Sequence, residues 1–284
     1  MGGKYVSIGG FRCYPVTDGS LLYPKQMLFP EPLMQQEVAD ALAPEPLRDE
    51  ILVHYSGLLV DTGKKRILID TGGGTMGPET GQMPEHIAAL GFAPEQIDLV
   101  IVSHMHPDHI GGLVTAEGKP RYPNAEVVVS QSEFDFWTSE TNQSKMKAKG
   151  LFGLGDLELV MQSTIEKNMI ALAAAGRVRM TEGAQEEVPG VTTIPAGGHT
   201  PGHMGVLVED KGDQLFFAGD AILHPVHVKY PAWKTAFDVQ PEQSALTRLQ
   251  ALDRCATERA LTFHFQTTSM SAKARPVCWS PLSH

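Results

Sequence analysis

The chain has 284 residues, 42% hydrophobic and 20% charged, with 28 glycines and 20 prolines. That composition suits one large globular α/β domain rich in turns and excludes a long helical bundle. A net charge of −10 with no Lys/Arg cluster argues against a nucleic-acid partner and favours neutral or cationic substrates. No apolar run approaches the roughly 20 residues of a membrane span, and the start Met-Gly-Gly-Lys-Tyr shows no signal peptide, so no membrane partner and a cytoplasmic location are expected. Cys13, Cys255 and Cys278 are odd in number and far apart, which excludes a disulfide framework or a zinc ribbon and leaves buried free thiols.

In chain order, residues 11–17 read as a short strand ending in the turn Thr17-Asp18-Gly19. Residues 20–50, broken by prolines at 24, 30, 32, 44 and 46, read as an irregular arm with one short helix near 34–42. Segments 51–61 and 65–70 read as a β-hairpin ending in a flexible loop, Asp70-Thr71-Gly72-Gly73-Gly74. A helix is predicted from Pro84 to Leu90, stopped by Gly91, and a buried strand from Ile97 to Ser103. A strand at 125–130, a helix at 131–138 and a helix over 156–174, with an apolar stripe of Leu159, Met169 and Leu172, follow. Strands at 176–180, 191–196, 203–209 and 214–218 precede a helix over 241–257, begun by Pro241, and a last strand at 260–264. Two sheets with helices outside them are implied.

The chemistry concentrates after the strand at 97–103. His104, His106, Asp108 and His109 fall within six residues. Alternate residues of an extended segment point the same way, so His104 and His106 can face one ion, and the following turn lets Asp108 and His109 face a second point. So many buried imidazoles and carboxylates would be costly without a metal. Imidazole and carboxylate suit zinc, and also manganese, cobalt or iron. Further ligands must come from elsewhere, and His199, Asp220 and His264 each stand where a strand runs out into a loop.

Asp70-Thr71-Gly72, His104-x-His106-x-Asp108-His109, Gly198-His199-Thr200-Pro201-Gly202-His203, Gly219-Asp220 and His264, in that order, resemble the signatures of the metallo-β-lactamase superfamily. The resemblance implies an αβ/βα sandwich of two mixed β-sheets flanked by helices, a single domain over residues 1–284 with the 20–50 arm and an atypical tail after 265. It implies a first metal held by His104, His106 and His199, a second by Asp108, His109 and His264, and Asp220 bridging both. It makes Asp70 an acid that orients a ligand and His203 a structural residue bonded within its own loop. Two divalent ions, most simply Zn2+, would share a hydroxide nucleophile, and Asp108 and Asp220 would serve catalysis. A homodimer is a family-level expectation.

Asp220 sets the chain apart from true β-lactamases, and His106 from the flavo-diiron oxidases. Many acyl-homoserine lactone lactonases carry Tyr three residues after the bridging Asp, where Leu223 stands here, followed by His224. The proline-broken arm, the run Ala218 to His224, Phe237-Asp238 and Arg248 resemble the methyl parathion hydrolase branch. That resemblance implies cleavage of organophosphate triesters, aryl esters or lactones, and a small, neutral, largely apolar substrate. Phe29, Trp137, His224, Trp233 and Phe237 are the candidate pocket walls. The alternatives are an acyl-homoserine lactone lactonase, a glyoxalase-like thioesterase, a mononuclear iron dioxygenase, or a metal-binding scaffold without activity.

Overall fold

The computed structural model describes residues 5–29, 50–150, 155–258 and 260–263. The predicted helix near 34–42, His264 and the tail after 265 lie outside these residues, and so does Cys278. A seven-stranded sheet runs β1 (Val6–Ile8), β2 (Phe11–Pro24), β3 (Glu50–Asp61), β4 (Arg66–Ile69), β5 (Leu99–Ile101), β6 (Glu126–Ser130), β7 (Val178–Thr181) in sequence order. Its first half is antiparallel, and it turns parallel from β4 onward. A five-stranded sheet follows the order β12 (Leu261–Phe263), β11 (Asp213–Phe217), β10 (Met204–Asp210), β9 (Val191–Pro195), β8 (Gln185–Val188), antiparallel except for β11 with β12.

The two-residue period of a strand sorts the apolar runs into layers. Leu58, Val60, Ile67, Ile69, Leu99, Ile101 and Val128 face the second sheet, where Val206, Val208, Leu215 and Phe217 meet them. The alternate residues Leu59, Leu68, Val100, Val127 and Val129 face outward under helices, against Ile87, Trp137, Met161, Ile165 and Met169. On the other side Leu207 and Phe216 pack beneath Ala251, Leu252 and Cys255 of the helix Pro241–Glu258. Both faces of both sheets are therefore covered, so the strands read as continuous apolar runs rather than alternating ones. The expected αβ/βα sandwich is the observed fold. Among the described residues, no helix is long and apolar enough to cross a membrane.

Three expectations change. The first strand does not end at Thr17: β2 pairs with β3 as far as Pro24, across a bulge between Thr17 and Gly19, and the helix Lys25–Leu28 follows it. Residues 20–28 are thus regular structure and not part of an irregular arm. Asp18 is the bulged residue. Its buried carboxylate accepts hydrogen bonds from the backbone N–H of Gly74 (3.0 Å), Gly81 (2.8 Å) and Met83 (2.9 Å), and so gathers the 72–82 loop and starts the helix Met83–Ala89. Asp18→Ala would strand three N–H groups, at about 1–3 kcal/mol for each one left unsatisfied. Relief of the buried carboxylate, whose pKa burial raises, offsets part of this, and we expect a net loss of about 2–4 kcal/mol, read as a lower thermal midpoint; a loss below about 1 kcal/mol would show that water replaces the carboxylate.

Second, the glycine run is no flexible loop. A Cβ on Gly74 (φ 56°) would meet the Gly111 carbonyl oxygen at 2.2 Å, and one on Gly112 the Thr71 carbonyl oxygen at 2.1 Å. Gly72–Gly74 and Gly111–Gly112 are two backbones in contact, with no room for side chains between them. Third, Leu159 is exposed, and the buried stripe of its helix is Met161, Ile165, Met169 and Leu172. The helix Asp156–Ile165 continues through a π-turn, Glu166–Ile170, into Ala171–Ala174. That turn carries Asn168, whose Oδ1 accepts from Val114 N and ties the helix to the chain beyond the histidine cluster. Strands β1 and β8 and the helices Glu140–Lys147 and Val226–Lys229 have no counterpart in the sequence reading.

Candidate metal centre

The C-terminal ends of β4, β5, β9 and β11 converge at one edge of the sandwich. β5 runs out through Ser103 into extended chain, so His104 and His106 face the edge while Met105 between them is buried in the outer core. The short helix Pro107–Ile110 then presents Asp108 and His109. The loop after β9 brings His199, and a 3-10 turn after β11, Gly219–Ile222, brings Asp220.

Two donor sets result. The ligand atoms of His104, His106, His199 and Asp220 lie within 4.8 Å of one another, as do those of Asp108, His109 and Asp220, which belongs to both sets. His106 Nδ1 is 3.0 Å from both His104 Nε2 and His199 Nε2. Asp220 Oδ2 is 3.9 Å from His104 Nε2, 3.4 Å from His199 Nε2 and 3.5 Å from His109 Nε2. A tetrahedron with ligand bonds of about 2.0–2.1 Å has edges of about 3.4 Å, the scale of these separations.

The hydrogen-bond pattern aims lone pairs at that point. Asp70 accepts from Ser103 N, Ser103 Oγ and His109 Nδ1, each at 2.7 Å, which turns His109 Nε2 toward Asp108 and Asp220. Ser103 Oγ, its proton given to Asp70, accepts from His104 Nδ1 at 3.1 Å. Asp238 Oδ1 accepts from His199 Nδ1 at 3.0 Å. In three rings Nδ1 is thus taken by a hydrogen bond, and Nε2 is the atom turned inward. A single proton on His106 could serve only one of its two close nitrogen neighbours, and Asp220 Oδ1 is buried with no hydrogen-bond partner among the described residues. A divalent cation satisfies both, so the residues present fit the metal that the donor chemistry implies.

The electrostatics agree. Burial, then the neighbouring imidazoles, pushes His104 and His106 well below the usual histidine pKa, so both stay neutral with lone pairs available. Burial also disfavours charge on His109, but Asp220, Asp108 and Asp70 outweigh it and hold that pKa well above the usual value. The field that favours a proton there also favours a metal ion. Burial pushes Asp108 up to about 6 against the pull of His109. Burial would raise Asp220 too, yet His109 and His199 bring it far below the ordinary carboxylate range.

Several supports were not legible beforehand. Asp238 also accepts from Ser244 Oγ and Thr235 N, and it lies 3.9 Å from the buried Arg248 guanidinium. Arg248 itself donates to the carbonyls of Ala221, Pro231 and Trp233 and so pins the Asp220 turn. Glu133, fully buried, accepts from Met105 N, Gly202 N and Trp137 Nε1, and joins the His104–His109 segment to the His199 loop. A carboxylate behind a histidine raises the ring's basicity, and loss of such a partner costs about 10–100-fold in metal affinity. We expect Asp238→Ala to show that loss by chelator competition, with the fold retained; unchanged affinity would refute the role.

His203 departs from its expected bonding. Its backbone closes the loop, through Ala196 N to its carbonyl, but its ring leaves it: His203 Nε2 accepts from Asp220 N at 3.1 Å and fixes the turn that carries Asp220. Burial holds its pKa down at about 3. A histidine with a depressed folded-state pKa stabilises fully above its unfolded value of about 6.5, and that contribution is lost as pH falls toward 3. His104, His106 and His227 are depressed as well, against His109 and His199 raised. Chelator-treated protein should therefore show a lower urea midpoint at pH 5 than at pH 7.5; equal midpoints would contradict these buried neutral rings.

Of the five expected pocket walls, Phe237 alone lines the pocket beside the centre, together with Tyr23, Leu28, Val53, Met76, Leu157, Met161, Leu223, Asp108 and Asp220. Trp137 sits behind His106 in the outer core, edge-on to its ring and bonded to Glu133. Phe29, His224 and Trp233 form the layer behind Leu28 and Leu223: Phe29 packs against His224 and Trp233, and Trp233 stacks on Tyr230. The sequence showed that these side chains were aromatic rings but not which layer each would occupy.

Fold and donor set define the class, a metal-dependent hydrolase built on an αβ/βα sandwich. Residues 51–264 match the profile of the metallo-β-lactamase superfamily, and the chain belongs to that superfamily. It is 24% identical over 205 residues to an N-acyl homoserine lactonase of a Bacillus species, spanning 68% of this chain and 70% of the relative. A Bacillus cereus N-acyl homoserine lactonase is 25% identical over 57% of this chain, which spans 53% of that protein. Among solved structures, the hydrolase AbOPH of the beta lactamase superfamily superposes with a TM-score of 0.82 at 26% identity, covering 93% of this chain and 90% of its own. The dizinc quorum-quenching lactonase AidC has the same fold, with a TM-score of 0.79 at 24% identity over 93% and 90% of the two chains.

Proposed function

We propose that this protein is a dinuclear metal hydrolase that opens neutral, apolar lactones and cleaves related esters, with acyl-homoserine lactones as the leading substrate class. The observation that carries the reading is the pocket. It pairs Asp108 and Asp220 with a wall of Leu28, Val53, Met76, Leu157, Met161, Leu223 and Phe237, and no Lys or Arg lines it among the described residues. Such a wall attracts an acyl chain and offers no counter-charge to a phosphodiester, a nucleic acid or a β-lactam carboxylate. The lactonase relatives support the same class.

His104, His106, His199 and Asp220 would hold one ion, and Asp108, His109 and Asp220 contribute to a second, with Asp220 shared. His264, which lies outside the described residues, remains the proposed completing ligand. When bound, the ions would supply Lewis acidity, making a nucleophile from water at neutral pH and polarising the scissile bond. The chain does the rest. Asp70 and Asp238 fix two rings, His203 and Arg248 fix the Asp220 turn, and the apolar wall limits water. Asp108 Oδ2, 3.6 Å from His109 Nε2 on the pocket side, is placed to return a proton to the leaving alkoxide.

A phosphotriester is the second reading, favoured by the aromatic wall of Phe237 and Tyr23. Metal analysis coupled to a panel of acyl-homoserine lactones, dihydrocoumarin, aryl esters and paraoxon-type triesters tests both. About two ions per chain with highest kcat/KM on lactones is expected; a single iron, or turnover only of triesters, would overturn the lactone reading.

A further inference from the structure

Among the described residues, the pocket carries one polar side chain that belongs to neither donor set. Tyr23, near the end of β2, lines it beside Asp108, Asp220 and Phe237. Its ring is held edge-on to Phe237 at 5.9 Å between centroids. Its hydroxyl is 2.6 Å from that of Tyr55, a fully buried residue on β3. The two strands are antiparallel neighbours, and Tyr23 pairs with Ile51, so the phenols meet across the sheet from staggered positions. Burial, and after it the charge of Asp108, drives both phenols far above the ordinary tyrosine pKa, so both remain protonated at any working pH. Either hydroxyl can donate in that bond, and where Tyr55 donates, the Tyr23 proton is left over. With Tyr55 enclosed behind it, Tyr23 is the member whose proton can turn into the pocket.

We propose that Tyr23, polarised by a hydrogen bond from Tyr55, is the substrate-binding donor of this site, donating a hydrogen bond to the substrate oxygen on which negative charge develops. This rests on the hydrolase reading above. A neutral donor has a specific merit here. A Lys or Arg beside Asp108 and Asp220 would compete with the metals for those carboxylates, whereas a phenol kept un-ionised stabilises a developing anion without adding charge. Tyr55 polarises Tyr23 because a hydroxyl that accepts one hydrogen bond becomes a stronger donor of its own. In this chain the donor reaches the pocket from the first sheet, on the wall supplied by β2, and position 223 beyond Asp220 is apolar.

The test uses full-length, metal-loaded protein and the variants Tyr23→Phe and Tyr55→Phe, each with its metal content measured. Removing one donor aimed at developing charge costs about 100–1,000-fold in kcat where the donor is neutral and buried. Tyr23 is only half-buried, so a kcat loss of about 10–100-fold is expected for Tyr23→Phe on the best lactone, with KM within about threefold and two ions retained. Tyr55→Phe should lose less, and the double variant no more than Tyr23→Phe alone, because Tyr55 acts through Tyr23. A Tyr23→Phe kcat within twofold of the parent would overturn the proposal, and so would loss of metal in that variant, which would make the phenol part of site assembly. If the parent protein holds two ions but hydrolyses nothing on the panel, the function reading fails by itself. Tyr23 is then read from the binding of N-hexanoyl-homoserine, a ring-opened carboxylate, by calorimetry. At least fivefold weaker binding by Tyr23→Phe supports the donor; equal affinity, or no binding by the parent, removes it.

Discussion

Asp220→Ala is expected to lose metal and activity together. Among the described residues, Asp220 alone belongs to both donor sets, and its Oδ2 stands within 3.9 Å of three imidazole Nε2 atoms. Removing it takes the only carboxylate from the first set and leaves His104, His106 and His199 to hold an ion as three neutral ligands. It also removes the negative charge that, with Asp108 and Asp70, outweighs burial at His109. Loss of an outer partner costs about 10–100-fold in metal affinity, and loss of a shared ligand should exceed that. We expect less than one ion per chain after dialysis and at least about a 1,000-fold fall in kcat/KM, measured with circular dichroism as the check on folding. Asp220→Asn should be intermediate, since it keeps an oxygen donor and loses the charge. Two retained ions with full activity in the alanine variant would remove Asp220 from the centre.

Glu133→Ala should be the most destabilising single change at the site. The side chain is fully buried, and it satisfies two backbone N–H groups from different loops and the indole N–H of Trp137. Gly202 has no side chain because a Cβ there would meet Glu133 N at 2.1 Å, so the loop cannot move in to fill the gap. Three stranded donors at about 1–3 kcal/mol each, offset by relief of a buried carboxylate whose pKa burial has raised, leave a loss of about 4 kcal/mol. For a chain of this size that is a fall of about 10 °C in thermal midpoint. Glu133→Gln keeps an acceptor and should lose about half as much. A midpoint shift under 3 °C for the alanine variant would show that the two loops are held by other means.

The ligand residues were legible because the chemistry is local: His104 to His109 are contiguous, and the strand that aims them is a continuous apolar run. Asp70, His199 and Asp220 were legible as strand-end residues in signature segments. Glu133, Asp238 and Asp18 were not. Each is a single acid in an unremarkable stretch, and its role depends on backbone N–H groups or rings that lie 28 to 69 residues away. Tyr23 was hidden for a different reason. Prolines at 24, 30 and 32 suggested an irregular arm, but Pro24 sits at the last position of β2, where a missing N–H is tolerated.

The sequence by itself determined the layers and the donors. Continuous apolar runs fix that the strands are covered on both faces, and residue chemistry fixes what can bind a divalent ion. The tertiary structure decided which nitrogen of each ring faces the centre, and that Tyr23 and Phe237, rather than Trp137 or Trp233, line the pocket. Those outcomes depend on where the ends of four strands from two sheets come together, and no local propensity encodes a distance between segments so far apart in the chain.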